Sequence, residues 1–354
     1  MENLCMQILN LYGKIKTTMI SEKLGLCISN IPKRFQEQIT DAIRIEYLSK
    51  KARGIDANLD HICECFISKR KLSLCVSDDD KISLLVQNMI CVRSRNFNTS
   101  MLKKKNSFCN PVDQIEYGEK FIKFLAHIIC YQNVEKNCYL PYVIYDTHFF
   151  HDTKLIQILS ELNCISSSHS FNDVNKAISD LQLLGNRVDN YIEDFTDFKK
   201  IDYIISSVNS YHERDYNAVH FMNTVNLLTL LLIHPKNNGD LGELVTKLPL
   251  FMKKLPVTHQ EKIEISEFIK KIRNKIAHGA FKQYEALCDQ FAGKFMKNHK
   301  FDYTEFDRET WIISYLCHIV DSCLAKVLWL MLEDKETLKK LQYNKIDIST
   351  FSYP

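Results

Sequence analysis

Glycine and proline are scarce, at 9 and 7 in 354 residues. So few chain breakers argue against a fold built on tight turns and favour long helices. No apolar run reaches the roughly 18 residues that a membrane span requires. The longest, Val225–Ile233 (VNLLTLLLI), is broken by Asn226 and Thr229 and reads as a buried core helix. The net charge of +3 is too small to imply nucleic-acid binding by itself, so any basic surface must be local. The 13 cysteines are scattered, odd in number and free of CxxC pairs. That is the usage of a reducing compartment with buried, free thiols. The opening MENLCMQILNLYGK has no basic n-region and no clean cleavage site, so no signal peptide is expected and the protein is read as cytoplasmic. His61-x-Cys63-x-Cys65 has ligand-type residues, but on a helix the two cysteines point to different sides. No metal and no cofactor is expected.

What the chain does have is helical periodicity. Leu4, Ile8 and Leu11 suit a short helix, while Thr17–Ile31 is mixed. Pro32–Arg53 carries Phe35, Ile39, Ile43 and Tyr47 on one stripe, and Ile55–Lys71 repeats the pattern. Asp78–Asp80 offers a negative start for a helix over Lys81–Val92. The polar stretch between Arg93 and Pro111 reads as an exposed loop; its Arg93, Arg95 and Lys103–Lys105 form a basic cluster. Asp113–Tyr131 is strongly amphipathic, Tyr139–Tyr145 is a short extended run, Thr153–Leu162 a short helix, and 166–170 (SSSHS) a hinge-like segment. Helices are then predicted over Phe171–Tyr191, Thr196–Val208, Tyr211–Ile233, Leu241–Lys254, His259–His278, Phe281–Met296 and Asp307–Glu333. The expected fold is mainly α, with at most a few short strands in the N-terminal region. The domain boundary is placed near 168–200: 1–168 as a regulatory or sensor region, 169–340 as a helical bundle, 341–354 as a tail.

One stretch carries candidate chemistry: Ile265–Phe281, ISEFIKKIRNKIAHGAF. An apolar helix runs into Arg273-Asn274-x-x-x-His278 and stops at Gly279, a natural residue for the left-handed position after a helix. Arg–His spacing alone is weak. With 10 Arg and 12 His in the chain and four to six residues allowed between them, about one match arises by chance, and Arg214–His220, with five between, is a second one. Context separates them. Asp215 follows Arg214, whereas Asn274 follows Arg273. Arg214 and His220 would lie on different sides of a helix interior, whereas His278 lies at a helix end where it can be reached. From Phe268 to Lys282 there are Lys270, Lys271, Arg273, Lys275 and Lys282 and no acidic residue, a candidate phosphate-tracking strip.

The Arg273-Asn274-x-x-x-His278 motif, with apolar helices before and after it, resembles that of HEPN domains, an all-α family that includes RNA-cutting toxins and defence proteins. The resemblance covers roughly 200–340. It implies an antiparallel HEPN-like bundle and a metal-independent endoribonuclease acting in toxicity, abortive infection or antiviral defence. The alternative it leaves open is a non-catalytic HEPN-like protein that binds RNA or nucleotide or assembles with a partner. It implies Arg273, His278 and Asn274 as the catalytic set, with Lys270, Lys271, Lys275 and Lys282 along the RNA. One copy of the motif is half a site in that family, so a homodimer through the C-terminal region is expected. An antitoxin or sensor partner is also expected, and no membrane. Some members use a polar residue at the start of the preceding helix, where Glu213 and Asp215 stand; a dipole role suits these better. A tyrosine that is modified in one subgroup is Ala280 here. Tyr284 suits either base stacking or the core.

Overall fold

The computed structural model describes residues 5–54, 59–60, 63, 67, 69–95, 100–104, 111–132, 147–151, 174–212, 217–237, 241–252, 255–297, 305–348 and 351. The chain is mainly α, with a small antiparallel sheet. It divides into two compact units, 1–130 with 135–198, and 131–134 with 199–354.

In the first unit, β1 (Cys5–Tyr12), β2 (Thr18–Ser21), β3 (Leu26–Asn30), β4 (Met89–Ser94) and β5 (Thr147–His151) form the sheet, in the order β2-β3-β4-β1-β5. Two helix expectations are corrected here. Residues 5–12 form a strand because β1 hydrogen-bonds on both sides, Gln7 standing opposite Val92 and Phe149. Pairing overrides the helical spacing of a short apolar run. The helix read over Lys81–Val92 is α2 (Asp78–Asn88) and ends before β4. Met89–Val92 is buried throughout, so it has no period by which helix and strand could be told apart. The expected acidic start holds: Ser77 and Asp80 form a capping box.

Helices cover both faces of this sheet. α1 (Lys33–Ala52) and α2 pack Ile39, Ile43, Tyr47, Ile82, Leu85 and Val86 with Met89 and Cys91 of β4. Val92, one residue on, faces the other way. There α3 (Pro111–Gln132) brings Gly118 so close that a Cβ would stand 3.1 Å from Val92 Cγ1 and 3.2 Å from Leu26 Cδ2. α4 (Val174–Tyr191) lies against β2. A Cβ on its Gly185 would stand 1.9 Å from the Ile20 carbonyl oxygen. One turn later Asp189 accepts hydrogen bonds from Ser21 Oγ (2.5 Å) and the Glu22 N–H (2.7 Å). Burial pushes that carboxyl upward, and these donors hold it back. The readings at 139–145, 153–162 and 166–170 fall outside the described residues, as does most of 55–68.

The second unit takes over inside α5 (Phe195–His212) and continues with α6 (Ala218–Leu232), α7 (Gly242–Lys247), α8 (His259–Ala277), α9 (Phe281–Phe295), α10 (Glu305–Glu333) and α11 (Lys335–Gln342). α6 lies along α10, α8 packs on α6, and α9 packs on both α8 and α10. The single helix expected over Tyr211–Ile233 is corrected to two. Asn217 Oδ1 accepts the Val219 and His220 N–H groups at 2.9 and 3.0 Å and starts α6 afresh. By length and composition α10 could cross a membrane, but most of it is buried inside the protein. Asp321 and Lys326 interrupt it in sequence, and both are partnered in the core. Lys326 donates to the Phe251 carbonyl (2.8 Å). On α7, the fully buried Lys247 donates to Leu232 O and Glu243 Oε2, each 2.8 Å, and to Gln342 O at 3.3 Å. An ammonium at a helix C-terminus meets the negative end of the dipole. The segment read as a tail is joined to this unit at its start: Tyr343 packs edge-on against His234, ring centroids 4.6 Å apart.

Candidate functional site

The site is built on the α8–α9 hairpin. Thr258 and Glu261 cap α8 reciprocally, and Ile265, Ile269 and Ile272 bury one stripe of it. Phe268 fixes α9 alongside, edge-on to Phe291 (5.7 Å) and Phe295 (6.1 Å). The helix stops as its sequence predicts. Gly279 adopts φ +66, its N–H bonds to Ile276 O (3.1 Å), and the Ala280 N–H bonds to Lys275 O (2.9 Å). This is a Schellman turn. It leaves His278 as the C-cap residue, exposed, and among the described residues no hydrogen bond reaches its ring.

Arg273 is held differently. Its Nε and Nη2 donate to Asn226 Oδ1 on α6 (3.2 and 2.9 Å), and its Nη1 donates to Asn274 Oδ1 (3.3 Å). Of the five N–H donors on a guanidinium, one on each Nη remains for a ligand. Asn274 thus orients Arg273. Asn226 is the residue sequence reasoning missed. Its signal was present as the polar interruption of VNLLTLLLI, but that run gave no indication of which helix it would face.

Lys270, Lys271 and Lys275 lie on α8 with the motif, and Lys282 lies in the first turn of α9. Among the described residues no carboxylate lies within ion-pair distance of Lys270, Arg273, Lys275 or Lys282, while Lys271 stands 3.8 Å from Glu267 at an exposed position. Lys271, Asn274 and Lys275 form one wall of an open groove of about 430 Å³; Gln283, Ala286, Leu287 and Gln290 of α9 form the other.

Several other candidates separate from the site. Tyr284 is buried, with its hydroxyl toward Glu309 and Cys288, and burial pushes its phenol upward; it belongs to the core, and the stacking role falls away. The competing His220 is a core histidine. Its Nε2 lies 3.1 and 2.9 Å from the two oxygens of the buried Asp321, which also accepts from Thr224 Oγ1 (3.0 Å). Glu213, Arg214 and Asp215 lie outside the described residues. In the other basic cluster Arg93 stands beside Cys27, where its charge opposes the upward push that burial gives the thiol, and Lys105 lies outside the described residues. Cys63 is a core residue whose thiol burial pushes up to about 12; His61 and Cys65 are outside the described residues. Among the described residues no group of three His, Cys, Asp or Glu is placed to hold a metal ion.

No protein-family model, no curated protein and no solved structure matches this chain. What the site can do follows from its geometry. A guanidinium clamped by two amides offers a rigid fork to phosphate oxygens. Five residues later stands an exposed imidazole with no hydrogen-bond partner among the described residues. Around a regular helix the two stand about 140° apart.

Proposed function

We propose that the C-terminal unit is a HEPN-type, metal-independent endoribonuclease completed by a second copy of itself, acting in the cytoplasm as a toxin or phage-defence effector. The observation that carries this reading is the pairing of a clamped Arg273 with an exposed His278 across the last turn of α8, in a strip without carboxylates. In RNA the 2′-hydroxyl lies beside the scissile phosphate, so the substrate brings its own nucleophile. His278 would take its proton or protonate the departing 5′-oxygen. Arg273 would bind the charge that develops on the phosphorane oxygens, with Asn274 and Asn226 fixing its plane. The products would be a 2′,3′-cyclic phosphate and a 5′-hydroxyl. A two-fold copy would place a second arginine and histidine across the cleft.

The test is cleavage of single-stranded RNA in EDTA, with product ends identified. The expected result is cyclic-phosphate ends and a loss of about a hundredfold or more in Arg273→Ala and in His278→Ala, with unchanged folding by circular dichroism. Activity should also fall more steeply than in proportion on dilution, as the dimer dissociates. Wild-type rates in both variants would remove the catalytic assignment. The separation of Arg273 and His278 round the helix favours a second reading, a non-catalytic RNA-binding or partner-assembly unit. RNA binding without cutting at any protein concentration would select it.

A further inference from the structure

The groove between α8 and α9 has a composition that the cleavage chemistry does not require. Its α8 wall is Lys271, Asn274 and Lys275, its α9 wall Gln283, Ala286, Leu287 and Gln290. On α8 the spacing i, i+3, i+4 continues to i+7 at His278, so the histidine stands on the same stripe at the turn end of the groove. On α9 the four residues follow the same rule. The groove therefore runs along the hairpin, with His278 on the α8 stripe toward the turn.

The lining has three parts. Lys271 and Lys275 give it a positive wall. Ala286 and Leu287 supply an apolar floor. Gln283, Gln290 and Asn274 place primary amides along it. The Asn274 Oδ1 accepts from Arg273, which turns its N–H₂ end to other acceptors. At about 430 Å³ the space is within the range of small-ligand clefts. A phosphate alone would use the lysines and leave the amides and floor without purpose. A nucleobase would use all three: side-chain amides pair with base edges through a donor and an acceptor at once, and the lysines take the flanking phosphates.

We infer that this groove seats a base of single-stranded RNA next to the scissile phosphate, with Gln283 and Gln290 as the residues that choose among bases. The inference rests on the RNA-cleaving reading for its choice of ligand, and its test separates the two. The His278→Ala full-length protein is titrated with fluorescent rA, rC, rG and rU oligomers of equal length. The same series is repeated on the Gln283→Ala/Gln290→Ala/His278→Ala protein. Both glutamines are exposed, so the additional changes leave the core intact. The expected result is a preference of about tenfold between the best and worst homopolymer, collapsing to near unity without the glutamines. Lys271→Ala/Lys275→Ala should instead weaken all four alike and flatten the salt dependence. Photo-crosslinking of 5-iodouridine RNA should label the peptide containing 283–290. An unchanged preference in the glutamine variant, no preference in its His278→Ala parent, or labelling only elsewhere would overturn the inference. A protein that cuts RNA with a preference indifferent to the glutamines loses this subsite and keeps its nuclease reading. One that discriminates bases here but never cuts keeps the subsite and loses the nuclease.

Discussion

At the scale of single residues, Asn226 and Gly279 do the most with the least chemistry. Asn226 is exposed and touches the site only through Arg273. Asn226→Ala is therefore expected to leave thermal stability within about 1 kcal/mol of wild type while, on the nuclease proposal, lowering kcat/KM for RNA about tenfold through a loosened guanidinium. Measured together, RNA cleavage and a melting curve check it, and equal losses in both would assign Asn226 to structure alone. Gly279 has φ +66 with open space where a Cβ would stand. Gly279→Ala thus meets no clash and carries only the left-handed backbone penalty of about 1 kcal/mol, read from the denaturation midpoint; Gly279→Asn should recover part of it. The sequence made Gly279 and the motif legible because both are local. Asn226 was not, because a bond from α6 to α8 is a fact of packing.

At the scale of elements, close approach is what the sequence conceals. Nothing in VNKAISDLQLLGNRVDNY marks Gly185 as the contact point of α4 with β2, yet a Cβ there would meet a backbone oxygen at 1.9 Å. Gly185→Ala, a change that favours an isolated helix, is expected to destabilise the first unit by about 3 kcal/mol, measured by chemical denaturation. A neutral or stabilising result would mean α4 does not lie so close. The helices with one apolar stripe, α1, α3, α4, α8 and α9, were readable from their period. The strands were harder. β1 is defined by two neighbours in the sheet, and Met89–Val92 is buried on both faces.

For the whole molecule, titratable groups connect folding to pH. Partial desolvation lowers the pKa of His318, whose side chain reaches the surface of α10, with Asp321 opposing and His220 adding to that shift. A histidine whose folded pKa lies below its unfolded value binds fewer protons when folded. Its contribution is therefore present above the ordinary imidazole range near 6.5 and is lost as pH falls through it. Stability should drop on acidification across that range, and His318→Phe should flatten the dependence in urea titrations at stepped pH. An unaltered slope would shift the effect to another group. The buried Cys63, Cys91, Cys288 and Cys323 have thiols pushed up to about 12, so aromatic disulfide reagents should leave them untouched in the native protein and reach them on unfolding.

The buried Lys247 has a consequence for the order in which the chain is made. Its ammonium joins the end of α6, at Leu232, to the end of α11, at Gln342, so the second unit cannot complete its interior until residue 342 has been synthesised. The first unit, by contrast, has all of its residues by Phe198. Translation proceeds from the N-terminus and domains fold as they emerge. The unit carrying Arg273 and His278 is therefore the later one to mature, and a growing chain on the ribosome holds the motif well before it holds a finished site.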